Sequence, residues 1–233
     1  MHGWCGRRPS WREPRRVTLP DPDILHPIPA TPRVVQLSPL IAAQSEVTNV
    51  TAGRFTYYDD PEHASEFLAR NLLYNFGFSG ASLRIGSFCA IATGTRFVMP
   101  DAMHAMEGVS TFPFAILGGA FAEALDLGAY PFPRTGDTVV GHDVWFGMDA
   151  LVMPGVRIGH GAVIAARAVV TQDVPDYAIG AGNPARIVRR RYEEAEAARL
   201  VALAWWDWPL ERITRAIPYL VRGPVSALED IAR

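Results

Sequence analysis

The sequence predicts an all-β fold with a helical tail, in which the β part is a parallel β-helix of six-residue repeats. Apolar residues recur at every sixth position over residues 140–175, a small residue follows most of them, and the fifth place of each unit is small or β-branched. An α-helix repeats at about 3.6 residues and a strand at about 2, so a period of six indicates flat-sided coils of about 18 residues with three sides each. The apolar register consists of Val140, Phe146, Val152, Ile158, Ile164 and Val170.

The segments before this register divide into an arm and an earlier part of the β-helix. Residues 1–33 are rich in Pro and Arg and are expected to form a mobile or draped arm. The β-helix domain is expected to span residues 34–188, with earlier repeat units at residues 52–57 and 85–96. A short helix over residues 62–74 is expected to interrupt these coils.

Two further segments lack the six-residue period. Residues 97–138 are predicted to form an inserted loop, and a long loop on a rigid scaffold is a common place for functional residues. Residues 189–233 are predicted to form a tail with α-helices over residues 192–204 and about 209–221. Its tryptophans are interpreted as a cap on a core, and they are Trp205, Trp206 and Trp208.

Composition excludes several classes of function. The chain has 233 residues, 49% of them apolar, and its net charge of -2 argues against a nucleic-acid partner. No apolar run is long enough to span a membrane, and residues 1–16 lack the apolar stretch of a secretory signal, so a cytoplasmic protein is expected. Two cysteines are too few for a disulfide framework, and Cys89 occupies a small core position of a repeat.

Six short motifs occur in order along the chain: Phe55-Thr56-Tyr57-Tyr58-Asp59, Ile85-Gly86-Ser87-Phe88-Cys89, Ser110-Thr111-Phe112-Pro113-Phe114, the segment from Gly136 to Trp145, Gly182-Asn183-Pro184-Ala185 and Trp205-Trp206-Asp207-Trp208. Together with the inserted loop, they resemble the xenobiotic acetyltransferases over roughly residues 20–220. The resemblance implies a left-handed parallel β-helix and a homotrimer with active sites between subunits. It also implies transfer of acetyl from acetyl-CoA, without a metal, to a hydroxyl of streptogramin A or chloramphenicol.

The resemblance places the catalytic histidine at His104, just before Met106-Glu107-Gly108 in the inserted loop. A hydroxyl is a poor nucleophile near neutral pH, so a base within hydrogen-bond reach must take its proton as the thioester carbonyl is attacked. The resulting imidazolium can then protonate the leaving thiolate, and a backbone N–H is the expected donor to the oxyanion. Without the resemblance, a single loop histidine would be read as an ordinary surface residue.

The remaining site residues follow from the resemblance position by position. The expected acceptor pocket comprises Thr56, Tyr57, Phe76, Pro113 and Trp145. For Tyr57 and Phe76, packing against the coil is nearly as good an explanation as a role in this pocket. Coenzyme A is expected in the groove between two adjacent prisms, against Trp145, Ala165, Ala166, Thr171, Gly182 and Pro184. Its phosphates are expected at Arg190 or Arg191, although a solvated charge run explains these arginines equally well.

The loop around His104 departs from the streptogramin branch of the family. That branch reads asparagine-glycine-alanine-asparagine-histidine-arginine, whereas this chain reads Pro100-Asp101-Ala102-Met103-His104-Ala105. The histidine is kept, but the polar residues on either side of it are lost. Each hydrogen bond lost with them is worth about 1 kcal/mol. The long spacing between Asp59 and Ile85, and the Met-Glu-Gly after the loop, nevertheless favour the streptogramin branch over the chloramphenicol branch.

Other functions stay open at this stage. The acceptor could instead be a sugar or a cell-wall precursor, or the β-helix could be a non-catalytic scaffold. His142 and His160 are 18 residues apart and stack one coil above the other, which suggests a zinc site of the gamma-class carbonic anhydrases. Both sit at outward turns of the coil, where solvation explains them without a metal.

Overall fold

The computed structural model describes residues 18–232, so the first half of the expected arm lies outside the described residues. Residues 18–33 run mainly as turns, and Leu25 packs against the main core. The buried side chain of Gln36 holds this segment in place, because its amide donates hydrogen bonds to the carbonyls of Asp21 and Ile24.

Most of the described strands are short, as the six-residue period requires. They are β1 (Val34–Gln36), β2 (Val50–Ala52), β3 (Tyr57–Asp59), β4 (Leu72–Leu73), β5 (Leu83–Ile85), β6 (Ala90–Ile91), β7 (Arg96–Val98), β8 (Thr138–Val140), β9 (Trp145–Phe146), β10 (Leu151–Val152), β11 (Arg157–Ile158), β12 (Val163–Ile164), β13 (Val169–Val170), β14 (Ala178–Ala181) and β15 (Arg186–Arg190). The α-helices are α1 (Leu37–Ala42), α2 (Phe67–Asn71), α3 (Gly119–Ala124), α4 (Glu194–Leu203), α5 (Leu210–Arg222) and α6 (Val225–Ala232).

The strands form three sheets, which the chain visits in turn. Sheet A has the order β1-β3-β6-β9-β12-β14-β15, sheet B the order β11-β8-β5-β2, and sheet C the order β13-β10-β7-β4. Pairing is parallel except for β1 and β15, which close sheet A in antiparallel fashion. Trp145 pairs with Val163 and Leu151 with Val169, each 18 residues further on. The predicted coil length is confirmed, and the three parallel sheets fit a left-handed β-helix.

The apolar register forms the core of the prism. All six of its side chains are at most 3% exposed. The fifth places of the repeats are buried as well, from Val144 to Val174. Because stacked coils share one continuous interior, each repeat contributes side chains to a core that it cannot enclose alone. This confirms that the six-residue period encodes the buried face.

Helical segments occur between the coils of the β-helix as well as in the tail. The helix expected over residues 62–74 is shorter than predicted, since α2 ends at Asn71 and Leu72 pairs with Phe97 of sheet C. Between β7 and β8 the chain leaves the coil without forming a strand. This inserted segment contains α3 and the 3-10 helices Pro100–Ala102, Phe114–Leu117 and Leu127–Ala129.

The tail folds back on the β-helix and encloses a second core. Strand β15 crosses the expected domain boundary between residues 188 and 189, and α4, α5 and α6 follow it. Trp206 and Trp208 are buried, as a cap on a core requires. Arg54 anchors the tail to the first coil, because its guanidinium donates to the carbonyls of Trp206 at 2.8 Å and Trp208 at 2.6 Å.

His142 and His160 lie beneath this tail, which corrects the expectation that solvent surrounds them. Their rings are parallel and 5.2 Å apart, and both stack on Trp206 at 5.0 and 4.8 Å. The Nδ1 of His142 accepts the N–H of Ser87, and the Nδ1 of His160 accepts the N–H of His142. A ring nitrogen accepts only when it is unprotonated, so these contacts require neutral rings. The two histidines therefore join adjacent coils to each other and to the tail.

This contact predicts an acid-sensitive component of stability. Partial burial, together with the nearby His160, lowers the pKa of His142 below its ordinary value, while Asp207 opposes the shift. A histidine with a lowered folded-state pKa contributes stability above its unfolded-state pKa of about 6.5 and loses it as the pH falls through the folded value. In His142→Asn, an amide oxygen can still accept the Ser87 N–H but does not titrate.

We expect the wild type to lose more unfolding free energy than His142→Asn between pH 8 and pH 5.5, measured by urea denaturation. Asp143 titrates in both proteins, since burial raises its pKa to about 6, and its contribution cancels in the comparison. Equal losses in the two proteins would contradict this role for His142.

Candidate active site

His104 lies on the inserted segment, shortly after the 3-10 helix Pro100–Ala102. Its ring Nδ1 is 2.8 Å from the carbonyl oxygen of Thr111. Because a carbonyl can only accept, Nδ1 carries the proton of the neutral ring and Nε2 keeps a free lone pair. The N–H of Ala105 donates to the hydroxyl of Tyr130 at 3.0 Å and ties this part of the segment to its far end. The side chain thus offers one exposed basic nitrogen.

A cavity of about 240 Å³ lies on one side of His104. Four of the rings in its wall form a continuous series, with centroids 5.7 Å apart for Phe76 and Phe78, 5.1 Å for Phe78 and Phe132, and 4.7 Å for Phe132 and Tyr130. The remaining lining residues are Tyr74, Asp101, Ala102, Met103, Pro113, Ile116 and Leu127. An apolar cavity with few polar groups suits a largely apolar small molecule.

A second cavity, of about 490 Å³, is also lined by His104 and follows the outer face of sheet C. Sheet C and its flanks contribute Leu73, Arg96, Val98, Leu151 and Met153. Four residues line both cavities, namely Tyr74, Ala102, Met103 and His104. The histidine therefore stands at the junction of an aromatic cavity and a groove along the prism.

The expected acceptor residues fall into three groups. Phe76 and Pro113 line the aromatic cavity together with His104. Tyr57 and Trp145 lie on the outer face of sheet A, away from His104 of the same chain. Thr56 has no exposed surface, because its hydroxyl donates to the Gly86 carbonyl at 2.6 Å and accepts the Cys89 N–H at 3.0 Å. Its side chain is committed to the interior and has no access to an acceptor.

The small residues expected to contact coenzyme A cluster beyond the groove. The N–H of Val169 in β13 donates to the Gly182 carbonyl, so the segment with Gly182 and Pro184 lies next to sheet C, one coil past β10. Thr171 follows β13 directly, whereas Ala165 and Ala166 lie in the turn between β12 of sheet A and β13. None of these five residues lines the two cavities at His104. They lie next to sheet C beyond β10 and at its edge with sheet A.

The two arginines differ in their surroundings. Arg190 is exposed on β15. The guanidinium of Arg191 lies over the rings of Tyr177 and Tyr192 and donates to the Gly161 carbonyl. Gly161 is in the turn between a strand of sheet B and a strand of sheet A, at the corner opposite sheet C. Arg191 is thus held within its own chain, away from the groove.

Several cavity residues were not predicted as site residues. Tyr74, Phe78, Tyr130 and Phe132 line the aromatic cavity beside Asp101. The repeated aromatic-proline pairs around Tyr130 and Phe132 were the available signal, because such rings have no coil position to occupy. Nothing in the local sequence distinguishes Asp101 from a surface carboxylate.

Residues 18–232 contain neither a metal-binding cluster nor a membrane-spanning helix. No group of three or more His, Cys, Asp or Glu side chains is arranged there to hold a metal ion. The stacked His142 and His160 use Nδ1 for backbone hydrogen bonds, so these nitrogens are occupied. None of the helices described in this range has the length and apolar character needed to cross a membrane.

Comparisons with known proteins agree with this fold. The bacterial transferase hexapeptide (six repeats) family matches residues 137–172. A chloramphenicol acetyltransferase of Escherichia coli is 43% identical over 194 residues, which cover 81% of this chain and 90% of that protein. A virginiamycin A acetyltransferase of Staphylococcus aureus is 35% identical over 210 residues, covering 90% and 92%. A probable macrolide acetyltransferase of Lysinibacillus sphaericus is 41% identical over 154 residues, covering 66% and 85%.

These similarities extend far beyond the repeats. The aligned stretches include most of this chain and most of each relative, whereas the hexapeptide match covers only the later coils. Identity is higher to the chloramphenicol enzyme than to the virginiamycin enzyme, which is the reverse of the branch preference drawn from the sequence. The chain is an acyltransferase and belongs to the xenobiotic acetyltransferases.

Proposed function

We propose that this protein transfers acetyl from acetyl-CoA to a hydroxyl group of an antibiotic of the chloramphenicol type, with His104 as the general base. The proposal rests on the position of His104, which lines both the aromatic cavity and the groove along sheet C. The aromatic cavity suits an apolar acceptor, and the groove suits an extended cosubstrate. The reacting hydroxyl and thioester then meet at the imidazole.

The hydrogen bond to Thr111 supports the role of His104 in both halves of the reaction. With Nδ1–H donated to the Thr111 carbonyl, Nε2 is the nitrogen that takes the hydroxyl proton. The acceptor oxygen forms a bond to the acetyl carbon, and the carbon–sulfur bond of the thioester breaks. The proton held on Nε2 passes to the departing thiolate, which restores the neutral base.

The groove supports binding of acetyl-CoA on the outer face of sheet C. Leu151 and Met153 provide apolar contact near His104, and the exposed backbone around Gly182 and Pro184 continues the same face. Small side chains at Ala165, Ala166 and Thr171 leave room for the pantetheine arm. Arg190 remains the candidate for a phosphate contact, whereas the contacts of Arg191 within its own chain argue against it.

Exposed aromatic residues support a homotrimer with the active site between subunits. Phe76, beside His104, is 64% exposed, and Trp145, on sheet A, is 57% exposed. Large apolar surfaces of this kind usually mark a binding surface or an interface. A neighbouring prism that places its Tyr57 and Trp145 opposite His104 would cover both surfaces and complete the cleft. A cytoplasmic location remains the prediction made from the sequence.

The acceptor class is tested by thiol release from acetyl-CoA with chloramphenicol, virginiamycin M1 and maltose supplied separately. We expect the largest kcat/KM with chloramphenicol, since the aromatic cavity is small and apolar. Preference for virginiamycin M1 would retain the reaction and assign the streptogramin acceptor. Turnover with maltose alone would contradict an antibiotic acceptor, and failure to bind acetyl-CoA would contradict the transferase itself.

A further inference from the structure

Asp101 is a buried carboxylate for which the proposed chemistry has no role. It is 3% exposed and belongs to the 3-10 helix that precedes His104 by two residues. It also borders the aromatic cavity. A buried carboxylate is costly unless it is paired or hydrogen-bonded, so its partners indicate what it does.

The partners are three backbone N–H groups of residues 74–80, which we call the aromatic loop. Oδ2 accepts from Phe76 at 2.6 Å and from Gly77 at 2.5 Å, and Oδ1 accepts from Ser79 at 2.9 Å. Burial by itself would raise the pKa of Asp101, but hydrogen bonds from Ser79, Gly77 and Phe76 outweigh it and lower the pKa below its ordinary value. The side chain is therefore a charged acceptor at neutral pH.

The aromatic loop depends on contacts from outside for its shape. Tyr74, Gly77 and Gly80 have φ values of 58°, 91° and 70°, so the backbone turns sharply and contains no helix or strand of its own. Asn49 ties its two ends through hydrogen bonds to Asn75 and Ala81. Asp101 ties its centre, between the two rings that face the cavity. Hydrogen bonds to an ionised group are shorter and stronger than neutral ones.

We propose that Asp101 is a positioning residue that sets the affinity for the acceptor by fixing Phe76 and Phe78 relative to His104. The inference rests on the proposed role of His104. Asp101 and His104 belong to one short segment, and the three hydrogen bonds from the aromatic loop to Asp101, which we call the clamp, join that segment to the aromatic wall. The clamp therefore makes the base and the aromatic wall a single rigid unit. An acceptor packed on this wall then has its hydroxyl held near Nε2, and small displacements of such a unit reduce productive binding.

Asp101→Asn tests the proposal. The amide has one acceptor oxygen and an NH₂ group that faces N–H donors, so the clamp loses at least one hydrogen bond. We expect KM for chloramphenicol to rise about tenfold and KM for acetyl-CoA to stay within about twofold. In a Phe76→Ala, Phe78→Ala background, the same substitution should change the acceptor KM by less than about twofold, because its effect passes through those two rings.

Asp137→Asn is the matched control. The carboxylate of Asp137 accepts the N–H of Ser82 at 2.8 Å, just past the aromatic loop, and does not border the aromatic cavity. Its substitution should leave the acceptor KM unchanged. A rise in acceptor KM of similar size in both variants, or an unchanged acceptor KM in Asp101→Asn, would overturn the positioning role. Equal changes in the KM of both substrates would overturn it as well, since they indicate a general loss of structure.

Amide hydrogen exchange separates this proposal from the proposed function. Phe76, Gly77 and Ser79 should exchange slowly in the wild type and faster in Asp101→Asn, whether or not the protein turns over chloramphenicol. Fast exchange at these amides in the wild type would contradict the clamp. If Asp101→Asn does not fold, Asp101→Glu replaces it, because the longer side chain keeps the charge but displaces the carboxylate from the three N–H groups. It should raise the acceptor KM about threefold, and no change would overturn the proposal.

Discussion

Replacing His104 by alanine is expected to lower kcat for acetyl transfer by ~100-fold or more, because a positioned general base contributes factors of that size. The fold should be unaffected, since the side chain is exposed and its hydrogen bond runs only to the Thr111 carbonyl. Thiol release at saturating acetyl-CoA and chloramphenicol measures the effect. Added imidazole should restore part of the lost rate, because a free base can enter the vacated site.

His63→Ala is the control for this substitution. His63 contacts Glu62 and Glu66 on the segment before α2, outside both cavities at His104. Its loss should change kcat by less than about twofold, as for most surface changes away from a site. If the His104→Ala protein retained most of its activity, His104 would not be the general base, even though acetyl transfer itself took place.

Two inactive variants are expected to restore activity when they assemble together. His104→Ala removes the base, and Trp145→Glu places a charge on the face of sheet A that is proposed to complete the neighbouring site. In a trimer that contains both variants, one of the three interfaces combines an intact His104 with an intact Trp145. Mixed trimers isolated through two different tags should therefore show about one third of the wild-type activity.

Each variant purified alone is the control, and both should have less than ~1% of wild-type activity. Light scattering on both variants checks that Trp145→Glu still assembles. Mixed trimers as inactive as the separate variants would contradict a shared site. A fully active wild-type monomer would contradict it more directly.

The sequence predicted the β-helix well because its core is local and periodic. Phe146 and Ile164 occupy equivalent places in successive coils, and the period alone marks them as buried. The Trp206 and Trp208 cap was also predicted correctly, as were two helices of the tail. The third tail helix, α6, was not predicted, because a single amphipathic helix after Gly223-Pro224 gives a weak signal.

The active-site region was harder to predict because its contacts are distant in the chain. Asp101 reaches back to the N–H groups of Phe76, Gly77 and Ser79, and no spacing rule links a carboxylate to such donors. Thr56 was assigned to the acceptor by family position, yet its hydroxyl bridges two coils in the interior. The inserted segment has no period, so the meeting of two cavities at His104 emerges only in three dimensions.

Identification of the product is the decisive test of the proposed reaction. The wild-type protein is incubated with acetyl-CoA and chloramphenicol, and the acceptor is recovered and characterised by mass spectrometry and NMR. We expect an acetyl ester on a hydroxyl of chloramphenicol, formed in equal amount to free coenzyme A and absent with His104→Ala. Recovery of only unmodified chloramphenicol from a folded protein that binds acetyl-CoA would contradict the proposed function.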